Sequence, residues 1–209
     1  MRRWWSRYIY KNNYDEIEKY FDWSDALLIG PGLGNNASTT ELVNKIVENY
    51  TKPIVIDADG LNCFVNNLEL FNKIKSDYII TPHFGELARL INTNIMKIRD
   101  NLVEYIQTFM KKYKGILVAK NAPTLVAHKD EVVVNSTGNQ GLATGGTGDV
   151  LSGVIASFVA QGIPSPIAAE LGVFIHGRAA DIIAEIKGYR GMIASDLLDA
   201  LPRAIMTYE

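Results

Sequence analysis

The sequence is poor in the residues that build stapled or metal-centred domains. Cysteine occurs once, at Cys63, and histidine three times, at His83, His128 and His176, in 209 residues. A single thiol excludes a disulfide framework and any multi-cysteine zinc or iron–sulfur centre, and Cys63 reads as a small core hydrophobe. The histidines stand far apart with no shared ligand spacing, so no protein-held metal is expected. An excess of one charge is missing too. With 21 Lys+Arg against 23 Asp+Glu, the formal net charge is −2. That balance argues against a phosphate-backbone binder, so no nucleic-acid partner is expected. No uncharged apolar run reaches about 18 residues, which leaves no membrane partner expected. The opening Met1-Arg2-Arg3-Trp4-Trp5 is followed by no apolar stretch of the kind a secretory signal needs. One thiol and no leader point to a cytoplasmic protein. What remains is an ordinary globular composition, 47% hydrophobic and 10% aromatic, enough for one domain with its own core.

Residues 1–22 are rich in Tyr, Trp, Arg, Lys and Asn without a clear period, and are set apart from 23–209. From there the pattern is regular. Ala26 to Ile29, Pro53 to Asp57, Tyr78 to Thr81 and Ile116 to Ala119 are short apolar runs stopped by turn-forming or polar residues, which predicts strands. The segments 37–50 and 98–113 carry apolar residues at helical spacing. Thr124 to Ala127 and Val132 to Val134 predict a hairpin with His128 in its turn. Helices are expected near 149–161, 166–186 and 195–207, the last with Ser195 as its N-cap. Continuous apolar strands alternating with helices imply an α/β three-layer sandwich, its mostly parallel sheet covered on both faces, with a late antiparallel hairpin. Ligands bind beyond the carboxyl ends of such strands. Gly30 to Gly34, Asp57 to Asn62, Thr81 to Glu86 and Lys120 to Pro123 all fall there.

The strongest local signal is Gly145-Gly146-Thr147-Gly148-Asp149, which opens an apolar helix. Glycines allow close backbone approach, and a helix start offers unpaired N–H groups and a positive dipole end. This suits a transferring phosphoryl group, with Asp149 placed to take a hydroxyl proton; the alternative is that Asp149 is only a cap. Gly30 to Gly34 reads as a backbone approach to a ligand or as a tight connection. Asp57 to Asn62 reads as a Mg²⁺ or water-mediated phosphate contact or as an Asx-turn. Lys120 reads as a phosphate partner or as a snorkelling edge residue. Glu86 is a ligand contact or a dipole partner. His176 is a core residue or a packing contact near the glycine loop.

Taken in order, Gly30-Pro31-Gly32-Leu33-Gly34, Asp57-Ala58-Asp59-Gly60-Leu61-Asn62, Thr81-Pro82-His83-x-Gly85-Glu86, Gly145 to Gly153 and Ala194-Ser195-Asp196 with Leu201-Pro202 resemble the ADP/ATP-dependent NAD(P)H-hydrate dehydratases. That resemblance implies the ribokinase-like fold. It also implies a repair reaction, in which ADP or ATP, with Mg²⁺, phosphorylates the ring hydroxyl of hydrated NADH or NADPH before phosphate is lost. By motif, Asp149 resembles the family's base and Gly145, Gly146, Thr147 and Gly148 its anion hole. Lys120, Asn121, Ala122, Pro123 and Thr124, with Gly148, fall where the family holds the adenine nucleotide. Gly32, Gly34, His83 and Asp149 fall where it holds the hydrated dinucleotide. Met1 to Tyr14 does not match the family's usual opening segment, so exposed apolar surface and a homo-oligomer are expected. A small-molecule kinase for a sugar or vitamin precursor, and a truncated non-catalytic nucleotide binder, are the competing readings.

Overall fold

Four short apolar runs make four parallel strands: β1 (Leu27–Ile29), β2 (Ile54–Ile56), β3 (Tyr78–Ile80) and β4 (Ile116–Ala119). Leu28 pairs beside Val55, Val55 beside Ile79, and Ile79 beside Ile116. β5 (Leu125–His128) and β6 (Glu131–Val134) then run antiparallel, giving a six-stranded sheet in the order β1-β2-β3-β4-β5-β6. The structure is a computed structural model that describes residues 9–208. Residues 1–8, part of the segment 1–22, and residue 209 lie outside the described residues.

Strand residues alternate between two cores, as a pleated sheet covered on both sides requires. Ile54, Ile56, Tyr78, Ile80, Leu117 and Ala119 share one core with apolar residues of α2 (Ala37–Asn49), α4 (Phe84–Leu90) and α6 (Leu102–Lys112). Tyr14, in α1 (Tyr14–Glu18), joins that core at 3% exposure, so the chain is integrated with the sheet well before residue 22. Val55, Ile79, Ile116, Val118 and Val126 pack on the other side, against α7 (Thr147–Ala160) and α8 (Ser165–Lys187). The amphipathic α9 (Ala194–Met206) lies over α8 through Leu197, Ala200 and Ala204.

Four local expectations are corrected. The stripe 98–113 is two helices, α5 (Ile95–Asp100) and α6, because Asn101 leaves helical geometry at φ −137°, ψ 39°. His128 is the last residue of β5, paired with Glu131, and the turn is Lys129-Asp130 with Lys129 at φ 55°. A two-residue hairpin turn with positive φ suits the twist of its strands better than a four-residue one. The N-cap of α9 is Ile193 rather than Ser195; Asp196 reaches back to accept from the Ile193 N–H at 2.8 Å. Asp57 to Asn62 forms a helical turn, α3 (Asp59–Asn62), rather than an Asx-turn.

Candidate active site

The alternation that turns Val55, Ile79 and Val118 toward α7 and α8 continues past the strand ends. Two residues on, Asp57, Thr81 and Lys120 therefore occupy that same face at the rim of the sheet. Lys120 Nζ lies 2.7 Å from Asp57 Oδ1 and 3.8 Å from Glu86 Oε2. Asp57 is 1% exposed and Glu86 7%. Lys120 is thus an ion-paired residue, not a snorkelling one. Glu86 Oε2 also accepts the His83 N–H at 2.8 Å. His83 Nδ1 accepts the N–H groups of Gly85 and Glu86, so the half-exposed ring caps α4 and carries its proton on Nε2. Thr81 is fully buried, and its hydroxyl has no partner among the described residues.

The glycine turns have physical reasons. Gly30 has φ +132°, and a Cβ there would sit 1.7 Å from the Asp57 carbonyl oxygen, so the first turn can close on the second only through glycine. Gly34 N–H then donates to Asp59 Oδ2 at 2.9 Å, joining the two turns. Between the carboxylates, Ala58 holds φ 47°, ψ −123°, a strained geometry for a residue with a Cβ.

The loop ahead of α7 is braced from several sides. Thr147 Oγ1 lies 2.7 Å from the Leu142 carbonyl and 2.8 Å from that of Thr144. Gly138 N–H and Asn139 Nδ2 donate to the Asp181 carboxylate of α8, at 3.0 and 2.9 Å. Thr137 Oγ1 donates to the Phe174 carbonyl at 2.8 Å. His176 Nε2 donates to the Thr147 carbonyl at 2.9 Å. Burial holds the His176 pKa down to about 4, and the Lys120 charge adds to the effect.

Between this loop and the β4–β5 connection opens a cavity of about 860 Å³, a volume in the range of small-molecule sites. Lys120, Asn121, Ala122, Pro123 and Thr124 line one side, and Asn135 to Gln140 another. Thr147, Gly148, His83 and His176 also line it, with apolar surface from Leu142, Leu151 and Val173. A Cβ on Gly148 would come 3.4 Å from Lys120 Nζ, so the ammonium and the start of α7 meet at one point. A cation beside unpaired helix N–H groups is a receptor for phosphate-type anions.

The structure thus brings together Lys120 to Thr124, His83, Thr147 and Gly148. It leaves Gly32, Gly34, Gly145, Gly146 and Asp149 off the cavity wall. Asp149 is exposed, and its carboxylate has no hydrogen bond or ion pair among the described residues. The reason is helical pitch. Gly148 and Leu151, three residues apart, face the cavity, and Asp149 is turned about 100° from Gly148. His176, Thr137, Asn139 and Asp181 were not among the site residues expected from sequence. Their one signal was His176 within the mainly apolar stretch 171–180 of α8.

A sequence model of the NAD(P)H-hydrate dehydratase family matches residues 5–203. The chain belongs to that family. A bifunctional NAD(P)H-hydrate repair enzyme of Moorella thermoacetica is 39% identical over 186 residues, covering 88% of this chain and 35% of that protein. An ADP-dependent (S)-NAD(P)H-hydrate dehydratase of Neisseria meningitidis is 38% identical over 181 residues, covering 84% of this chain and 61% of its own length. The crystal structure of the ADP/ATP-dependent NAD(P)H-hydrate dehydratase of Bacillus subtilis, co-crystallized with ATP/Mg²⁺, superposes at a TM-score of 0.80 with 28% identity. That superposition covers 88% of this chain and 65% of the other. This dehydratase-family chain therefore spans about a third of the bifunctional relative and three-fifths of the single-function one.

Proposed function

We propose that the protein dehydrates hydrated NADH or NADPH at the expense of ADP or ATP, within a domain over 23–209 that α1 helps to cover. The observation that carries this reading is the meeting of Lys120 Nζ with the start of α7 at the mouth of the 860 Å³ cavity. Family membership supplies the substrate class. The residues fit an adenine nucleotide: a cavity of adequate volume, apolar on one part, and an N–H and ammonium cradle for phosphate oxygens.

In this mechanism Lys120 to Thr124 and Gly148 hold the nucleotide in the cavity. Gly145 to Gly148 direct N–H groups at the transferring phosphoryl group. Asp149, exposed in the first turn of α7, takes the proton of the ring hydroxyl as its oxygen bonds to phosphorus and the nucleotide's bridging P–O bond breaks. Departure of the new phosphate from the ring carbon, with loss of a ring proton, restores the double bond. Gly32 and Gly34, in the turn after β1, and His83, after β3, are the residues proposed to contact the dinucleotide. Mg²⁺ would neutralise phosphate charge when bound. Among the described residues no group of three or more His, Cys, Asp or Glu is placed to hold a metal, which fits an ion held by one or two carboxylates and by substrate phosphates. Asp57 and Glu86, which flank Lys120 Nζ at 2.7 and 3.8 Å, would be the carboxylates to hold it.

A cytoplasmic location and self-association belong to the same reading. Among the described residues no helix is long and apolar enough to cross a membrane. Self-association is the expectation drawn from the unmatched opening segment. One observation favours a second reading, a nucleotide binder without turnover: Asp149 stands exposed, and its carboxylate has no hydrogen bond or ion pair among the described residues. Incubating hydrated NADH with ADP, then ATP, and following absorbance of the reduced ring separates the two. Recovery supports the dehydratase; nucleotide binding without recovery supports the binder; stable phosphorylated product marks a kinase.

A further inference from the structure

We infer that His176 is a positioning residue for phosphate recognition: from α8 it fixes the peptide plane whose other end, the Gly148 N–H, points at the anion. This rests on the proposed nucleotide site, and nothing in the motif reading requires it. His176 is 6% exposed and its Nε2 lies 2.9 Å from the Thr147 carbonyl oxygen. A carbonyl only accepts, so Nε2 carries the proton and the neutral ring has a fixed tautomer. The Thr147 carbonyl and the Gly148 N–H belong to one planar trans peptide and point in opposite directions. Holding the carbonyl therefore aims the N–H. That N–H lies at the first turn of α7, next to Lys120 Nζ. A donor on the carbonyl also polarises the peptide and strengthens its N–H as a donor. No phosphate oxygen need touch the imidazole, so His176 acts through Thr147 and Gly148.

The rest of the loop explains why one side chain controls this peptide. Thr147 Oγ1 fixes the side-chain end of the residue through the Leu142 and Thr144 carbonyls. Asp181 fixes the loop further back, at Gly138 and Asn139. Among the described residues, His176 is the side chain that donates to the backbone of the anion-binding turn itself. The ring is neutral above pH 5, since burial holds its pKa at about 4, so the brace keeps one protonation state across the working range.

The test compares His176→Gln, whose amide can offer an N–H to the same carbonyl, with His176→Phe, which fills the volume and offers none. Circular dichroism and thermal melting establish that both fold. Affinity for ADP and for inorganic pyrophosphate is measured by calorimetry, and kcat and KM for hydrate repair are measured separately. The expected result is a tenfold or greater loss of ADP and pyrophosphate affinity in the Phe variant. Most of that affinity returns in the Gln variant, and KM for the hydrated dinucleotide stays within threefold. Equal affinities in a folded Phe variant overturn the inference, as does a Gln variant as weak as Phe. Failure of the wild-type chain to bind either ligand overturns it too. Should the affinity pattern hold while no hydrate is repaired, the positioning role stands and the dehydratase reading falls.

Discussion

Lys120 and Asp57, 63 residues apart in sequence, meet at 2.7 Å where β2 and β4 end under the first turn of α7. This pair links the fold to the site. It neutralises a carboxylate that is 1% exposed, and it sets the ammonium against Gly148. Removing one partner of a buried ion pair is far more harmful than replacing both, because an unpaired charge is left behind.

Lys120→Met is therefore expected to lower unfolding free energy by about 3 kcal/mol, since Asp57 and Glu86 lose their shared counter-ion. Adding Asp57→Asn to it should restore part of that stability without restoring nucleotide binding. Urea denaturation of the two variants, with ADP titration of each, checks both halves.

Asp149→Asn should behave in the opposite way. Its side chain has no partner among the described residues, so stability should change by less than about 0.5 kcal/mol. Loss of a general base predicts a fall in kcat of about 10²–10⁴-fold. ADP affinity should stay close to wild type, because Asp149 is off the cavity wall. A folded Asn variant with unchanged kcat would remove Asp149 from the mechanism.

Glycine substitutions should divide sharply. Gly30→Ala puts a Cβ 1.7 Å from the Asp57 carbonyl oxygen at φ +132°, and should cost more than about 3 kcal/mol or abolish soluble expression. A Cβ at Gly145 meets nothing within 4 Å, so Gly145→Ala should melt within a few degrees of wild type. Thermal unfolding of the pair measures the contrast.

His176 makes stability depend on pH. Its pKa is about 4 when folded, against 6.5 for the free side chain. Between these values the unfolded chain binds more protons than the folded one, so stability rises with pH there. The contribution is complete above about pH 6.5 and is lost as pH falls toward 4, a change of about 3 kcal/mol. His176→Gln should flatten that part of the curve relative to wild type, measured by denaturant titration at pH 4.5, 5.5 and 7.

The strands were legible because each is a continuous apolar run ended by Gly, Pro or a polar residue, and a sheet buried on both faces admits little else. The glycine turn at 145–148 and the helix after it were legible for a similar local reason. The break at Asn101 was not: the apolar stripe runs through it, and the backbone geometry of one residue divides the helix. Nor was the Lys120 ion pair, for neither Asp57 nor Lys120 carries a local mark of its partner.

The four parallel strands, the late hairpin and the polar turns gathered at one rim were readable from the residues alone, because these follow from hydrophobic period and from backbone stereochemistry. Which of those polar groups meet was set by packing at long range. That packing paired Lys120 with Asp57, buried His176 against the Thr147 carbonyl, and turned Asp149 away from the cavity that Gly148 faces. Such contacts depend on strand register, helix pitch and the packing of α8 over the sheet, which long-range burial sets and no short stretch of residues encodes.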